Sequence, residues 1–239
     1  MTEDADVHTA SDDYARRFSG RVGEWFLDVQ ARIVLDLLAP WPKATVLDVG
    51  GGHAQLTGPL VAAGYDVTVH GTAPECSARL ERYLYSGRAR FAEGPMLALP
   101  WADGAFDVVV AFRLLPHVEA WPALVGELAR LARRAVVFDY PTSRSVNVVS
   151  GAFFGVKKGV EGNTRPFRVF AEPEIDGALH SSGLQTTARR GEFALPMALH
   201  RALGNAGLSK AMEATAAALG LRSLLGSPVV RRAEPRRAA

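Results

Sequence analysis

The chain has 239 residues, 48% hydrophobic and 22% charged, a composition that excludes a disordered protein, a collagen-like fibre and a coiled coil. Its 27 Lys+Arg against 25 Asp+Glu leave a net charge of +2, too balanced to make nucleic acid the expected partner. A single cysteine, Cys76, excludes an internal disulfide framework and any multi-cysteine zinc site.

Residues 1–12 are small and acidic (Glu3, Asp4, Asp6, Asp12, Asp13) and read as a frayed end. They lack the basic and apolar regions of a secretory signal, and no apolar run approaches the ~20 residues of a membrane span, so a cytoplasmic protein is expected. Trp25, Val29, Ile33 and Leu37 recur at helical spacing and predict a helix over 24–38, ended by Pro40 and Pro42. Ala44 to Val49 is a short buried strand that runs into Gly50-Gly51-Gly52. Leu56, Leu60 and Val61 form the apolar face of the next helix, stopped by Gly64. A strand over 66–70, a helix over 74–85 and a strand over 88–91 follow. Residues 105–111, with Phe106, Val108, Val109 and Val110, predict a central parallel strand buried on both faces. Trp121, Leu124, Val125, Leu128 and Leu131 mark an amphipathic helix, and 135–138 a fifth strand closed by Asp139-Tyr140-Pro141.

The alternation then breaks. Residues 142–171, polar with interspersed phenylalanines, read as a long functional loop; Lys157, Lys158, Glu161, Asn163 and Arg165 suit a substrate lid or a solvated loop. A helix over 173–182 capped by Gly183, a strand over 184–193, helices within 196–222 and a strand over 227–231 complete the elements. Pairing of the last two strands as an interrupted hairpin makes the far sheet edge antiparallel. Residues 231–239 (RRAEPRRAA) read as a solvated basic tail.

The chemistry-bearing segment is Val46 to Leu56, in which a strand ends in an acid and a glycine loop leads to a helix. Glycines permit tight turns and close backbone approach to a ligand, and free N–H groups at a helix start lie beneath it. This is a nucleotide-type site at the carboxyl edge of a parallel sheet, or else a simple tight strand–helix turn. A G-x-G-x-x-G dinucleotide loop fails because the sixth place is Gln55, and no Gly-Lys-Ser/Thr phosphate loop is present. What remains is acid-x-Gly-x-Gly-x-small: Asp48, Gly50, Gly52, Ala54.

That pattern resembles the first motif of the class I S-adenosylmethionine (SAM)-dependent methyltransferases. Leu99-Pro100-Trp101-Ala102-Asp103-Gly104-Ala105-Phe106-Asp107-Val108-Val109-Val110 resembles the "LPF-x-DGxFDVV" signature of that family, and Phe112 to Val118 the segment after it. The likeness covers 14–140 well and 163–193 loosely, with the ubiquinone/menaquinone-type enzymes among the most similar. It implies a Rossmann-like α/β fold: a seven-stranded sheet, mostly parallel with its last strand antiparallel, and helices on both faces. One domain is expected, with a helical cover over 1–40, a cofactor core over 41–141, a lid over 142–172, a C-terminal part over 173–232 and a tail over 233–239.

The resemblance further implies SAM as cofactor and methyl transfer to O, N or C of a small molecule, in a monomer or homodimer that binds neither nucleic acid nor membrane. Asp48, Gly50, Gly51 and Gly52 would hold the aminoacyl end, with His53 beside them. Phe112 and Arg113 would flank the sulfonium, and Phe18 belongs to the covering segment. Two departures stand out. Where the family carries an acid for the ribose hydroxyls, this chain has Gly71, followed by Thr72; where an aspartate binds adenine, it has Pro95, followed by Met96. These four stay among the expected cofactor contacts, with Thr72, Glu75, Glu93 or backbone groups expected to replace the missing side chains. Substituting Gly71→Asp is therefore expected to tighten SAM binding. The same departures support an alternative, a non-catalytic SAM- or nucleoside-binding or scaffold protein of the same fold.

Arg113, His117 and Tyr140 are the candidate catalytic residues. An arginine after the central strand suits an acidic or phenolate acceptor, or else a salt bridge with Glu119 or Glu161. His117 is of the residue type that serves as a general base near neutral pH, or packs the following helix. Tyr140 orients a nucleophile or belongs to a turn. His200 reaches the site only if its helix folds over it. The histidine spacing suggests no metal.

Overall fold

Alternate residues of the central strands carry the fold's two cores, one on each face of a seven-stranded sheet. In the computed structural model, which describes residues 3–145 and 167–236, the strands are β1 (Thr45–Val49), β2 (Asp66–Gly71), β3 (Ala89–Glu93), β4 (Phe106–Ala111), β5 (Ala132–Tyr140), β6 (Leu184–Gly191) and β7 (Val229–Pro235). Their order is β3-β2-β1-β4-β5-β7-β6. β1 to β5 are parallel, and β7 runs antiparallel to both β5 and β6. Leu47, Val49, Val109, Ala111 and Val136 join one core, and Val46, Val108, Val110 and Val137 join the other. This follows from the period-2 geometry of a strand covered on both faces.

The helices are α1 (Ala5–Ala10), α2 (Asp12–Arg16), α3 (Gly20–Leu38), α4 (Thr57–Ala62), α5 (Glu81–Tyr85), α6 (Trp121–Leu131), α7 (Glu172–Ser181), α8 (Met197–Leu203), α9 (Ala206–Ala218) and α10 (Leu221–Leu225). α6 and α7 cover the first core; α3 and α4 cover the second. A third, smaller cluster joins Tyr14, Phe18, Val22, Trp25, Phe26 and Phe193, tying the N-terminal helices to the chain after β6.

Several expectations need correction. Residues 3–12 are not frayed: α1 and the start of α2 lie there, with Ala5, Asp6 and Thr9 buried. The glycine loop passes through a 3-10 turn (Gly51–His53) before α4, and 74–85 divides into a 3-10 segment (Pro74–Leu80) and α5. Asp139 and Tyr140 are strand residues, not a turn. Arg231 to Pro235 are not part of a solvated tail: they belong to β7, which lies between β5 and β6. Arg231 is 3% exposed and pairs with Glu172 and Asp176; Arg232 stacks over Trp41 and donates to the Leu37 carbonyl. Arginine stems can line buried surface when their heads find acceptors, so a basic string is compatible with an interior strand. Lys157, Lys158, Glu161, Asn163 and Arg165 of the expected lid lie outside the described residues.

Candidate active site at the strand tips

Because β1 to β5 are parallel, their carboxyl ends meet at one edge, where an α/β sheet binds ligands. At the tip of β1 the chain turns at Gly50, whose φ of 71° is left-handed and suits a residue without Cβ. Asp48 points into this turn and is 1% exposed. Its Oδ2 has no hydrogen-bond partner among the described residues, and a Cβ on Gly51 would overlap the carboxylate. Burial raises the Asp48 pKa to about 7. A buried carboxyl lacking a partner is costly when ionised and is satisfied by a cation or strong donor.

At the tip of β2, Gly71 explains why no acid stands there. A Cβ at Gly71 would lie 2.5 Å from Cys76 Cβ and 3.1 Å from the Phe91 ring. The expected benefit of Gly71→Asp is thus corrected: a side chain at 71 meets packed neighbours. The carboxylate at this tip comes instead from α1. Asp6, fully buried, accepts hydrogen bonds from the Thr72 N–H (2.7 Å) and Thr72 Oγ1 (2.5 Å), with Cys76 Sγ at 3.4 Å. Glu75 and Glu93 are exposed. Beyond β3, Pro95 is exposed while Met96 is 1% exposed in the first core.

At the tip of β4, Phe112 is buried in the second core and Arg113 has a φ of 57°. A left-handed non-glycine residue costs roughly 1–3 kcal/mol and persists only where its surroundings hold it. Here Asp139 Oδ1 accepts the Arg113 N–H at 2.6 Å. Gln30 Nε2 donates to Asp139 Oδ2 (3.3 Å) and to Glu192 Oε1 (2.9 Å), completing a buried polar network. Burial raises both carboxyls, and Asp139's charge raises Glu192 further, so Glu192 is the partner that retains a proton more readily.

The Arg113 guanidinium lies 3.8 Å from the Phe18 ring centroid, and that of Arg201 lies 5.8 Å from the same ring. Neither arginine has an ion pair among the described residues, and Arg113 Nε is buried without a partner. His53 packs edge-on against both Tyr14 and Phe18; both its ring nitrogens are buried without a partner. Burial, then Arg113 and Arg79, lower its pKa to about 4, so it is neutral near pH 7.

Phe18, Asp48, the glycine loop, His53, Thr72 and Arg113 therefore occur on neighbouring elements at the tips of β1, β2 and β4. His117, in a 3-10 turn after β4, neighbours the His8 ring at 6.2 Å and Phe167 at 5.6 Å. Tyr140 leaves the catalytic set. Strand alternation puts it on the face opposite Asp139, in the first core, where its hydroxyl donates to Glu172 Oε2 at 3.1 Å. His200 is also structural: it is fully buried, bonded to Glu213 at 3.0 Å and packed on Trp25 and Phe193. The acid at β2, the Gln30–Asp139–Glu192 network and Arg201 had no local sequence signal, because their partners are distant in the chain.

Residues 47–138 match the family model described as a methyltransferase domain. No curated protein sequence matches the chain. Among solved structures, magnesium protoporphyrin IX methyltransferase from Synechocystis PCC 6803 with bound S-adenosylhomocysteine (SAH) is similar over 98% of this chain and 98% of its own, at 18% identity and a TM-score of 0.68. Burkholderia thailandensis 1,6-didemethyltoxoflavin-N1-methyltransferase, with its namesake compound and SAH bound, is similar over 89% and 79%, at 17% identity and a TM-score of 0.55. The cyclase SpnF shares the fold over 88% and 81%, at 15% identity and a TM-score of 0.62. The fold is that of the class I SAM-dependent methyltransferases. Residues 47–138 thus match a methyltransferase-domain model, and two of the structures that share the fold hold SAH and SAM.

The residues present fit SAM at its aminoacyl end. Asp48 offers an unsatisfied buried oxygen to an ammonium, beside a loop without side chains. At the nucleoside end, the Thr72 donors are held by Asp6. Among the described residues no helix is long and apolar enough to cross a membrane.

Proposed function

We propose that the chain transfers a methyl group from SAM to an oxygen, nitrogen or carbon of a small organic acceptor bearing an anionic group. The observation that carries this reading is Asp48, a buried carboxyl with an unpartnered oxygen at the first-strand tip of a methyltransferase domain. Bound SAM supplies an electrophilic methyl on a sulfonium, open to in-line displacement.

Asp48 answers the ammonium, and the backbone of Gly50 to Gly52 lies against the aminoacyl group without side-chain interference. Phe18, Tyr14 and His53 form an aromatic wall that excludes water beside Arg113. Arg113, its main chain fixed by Asp139, and Arg201 hold the acceptor's anionic group. Two guanidinium groups beside one ring with no ion pair among the described residues favour such a ligand. His117 takes a proton only where the nucleophile is a neutral acid; otherwise positioning carries the reaction.

Calorimetric titration with SAH tests this reading. Wild type binds, and Asp48→Ala binds at least about tenfold more weakly, equivalent to about 1.4 kcal/mol. An unchanged affinity in folded Asp48→Ala removes Asp48 from the site. A second reading, a non-catalytic scaffold protein of this fold that does not bind SAM, is favoured by the Asp6–Thr72 contact, which holds the nucleoside end from within. It predicts no heat with either SAM or SAH.

A further inference from the structure

The carboxylate at the β2 tip is brought there by a helix that lies against the glycine loop. Asp6 Cβ is 3.4 Å from the position a Cβ on Gly50 would take, and Ala10 Cβ is 2.9 Å from that of Gly52. Ala5 joins the first core, in the cluster that contains Val49, Met96 and Leu114. α1 therefore runs past the residues assigned above to the cofactor: Gly50, Gly52 and Thr72. Polar contacts to neighbouring elements help to hold it. Asp6 holds the Thr72 amide and hydroxyl, Glu3 Oε1 accepts the Ala120 N–H at 3.0 Å, and Arg79 holds the Ala10 carbonyl at 3.2 Å and pairs with Asp12.

We propose, building on the methyl-transfer reading, that α1 is an internal occupant of the nucleoside half of the cofactor groove. Asp6 stands where the nucleoside's hydroxyls would engage the β2 tip. The cofactor binds when α1 withdraws and Asp6 releases Thr72, whose amide and hydroxyl then serve the ligand. A six-residue helix has little stability of its own, since helix nucleation is costly and tertiary contacts supply most of the order. Release therefore amounts to a local opening rather than global unfolding. The apparent dissociation constant is the intrinsic one divided by the open fraction, so weakening the Asp6 anchor tightens apparent binding.

The geometry separates this arrangement from one in which Asp6 stays in place and itself accepts the ribose hydroxyls, standing in for an acid at 71. In the first case Asp6 competes with the ligand; in the second it is a ligand-binding group. Removing its carboxylate moves affinity in opposite directions.

The test uses the full chain. SAH is titrated by calorimetry into wild type, Asp6→Ala and the near-isosteric Asp6→Asn, with circular dichroism to confirm folding. Hydrogen exchange of the 5–11 segment is followed with and without SAH. Displacement predicts faster exchange in 5–11 when SAH binds wild type, and at least about fivefold tighter SAH binding by Asp6→Ala, with Asp6→Asn in the same direction. Binding by the variants alone also supports it. Slower exchange of 5–11 with SAH, or weaker binding by both variants, overturns it and makes Asp6 a ligand-binding residue. No SAH binding by wild type or either variant overturns the SAM reading itself, and this inference with it.

Discussion

Replacing Asp48 with asparagine keeps the side chain's shape and removes its charge, isolating the cost of ionising a buried carboxyl. The folded Asp48 pKa is raised from 3.8 to about 7 by burial. Between those values the folded protein keeps a proton that the unfolded chain has released, so stability falls as pH rises, and the loss is complete above about pH 7. From about pH 5 to about pH 8.5 the folded group crosses roughly two pH units of penalty. At about 1.36 kcal/mol per unit, that is close to 3 kcal/mol. Asp139 and Glu192 are also raised and act in the same direction, so wild type alone does not isolate Asp48. The difference between wild type and Asp48→Asn does. Urea unfolding of both proteins without ligand, at several pH values, should show the variant gaining about 2–3 kcal/mol relative to wild type over that range. A constant offset across pH would refute a buried, uncompensated Asp48. Saturating SAH should narrow the difference, because an ammonium beside the carboxylate favours its ionised form.

Three further outcomes are expected. Gly71→Asp should lower stability by about 1–3 kcal/mol through overlap with Cys76 and Phe91, with no gain in SAH affinity; tighter binding at unchanged stability would contradict the packing. Glu172→Gln should cost about 3 kcal/mol near neutral pH, because it breaks the buried pair with Arg231 and weakens acceptance from Tyr140 and Thr142. The Glu172 pKa is lowered to about 2 despite burial, chiefly by its arginine partners, so its contribution is present above 4.5 and lost as pH falls toward 2; an acid-unfolding curve equal to that of Glu172→Gln would contradict this. In a radiolabelled-SAM panel of small hydroxy- and amino-acids paired with their methyl esters, transfer should favour the acids, and Arg113→Ala and Arg201→Ala should each reduce that preference; equal transfer to both members of each pair would remove the anion from the acceptor's description.

The parts of the fold visible in the sequence are those whose causes are local. The apolar run of β4 is buried on both faces, and a run of that kind has few other stable placements. The turn at Gly50 needs a left-handed residue where β1 meets its ligand edge, so Asp48 and the glycines announce themselves together. The extension of β7 past Arg231 was hidden because Arg231 and Arg232 read as solvent-facing until Glu172, Asp176 and the Leu37 carbonyl are supplied from elsewhere. The Gln30–Asp139–Glu192 network was hidden for the same reason: each polar residue alone predicts exposure, and only their convergence permits burial.

The second-strand tip carries the same lesson into the site. Taken alone, Gly71 is a lost acid. In the folded chain it is one part of a unit: a residue without Cβ lets Cys76 pack against the strand, and Thr72 then presents its amide and hydroxyl to Asp6. The segment ADVHTA has too little apolar content to predict a docked helix, and its anchor lies 66 residues away. A carboxylate is thus present at the β2 tip, but on a short helix rather than on the sheet. An acid fixed to a strand offers a permanent acceptor; an acid on α1 makes the same position responsive to whatever moves that helix. The departure at Gly71 therefore bears on how the groove opens as much as on how tightly it binds.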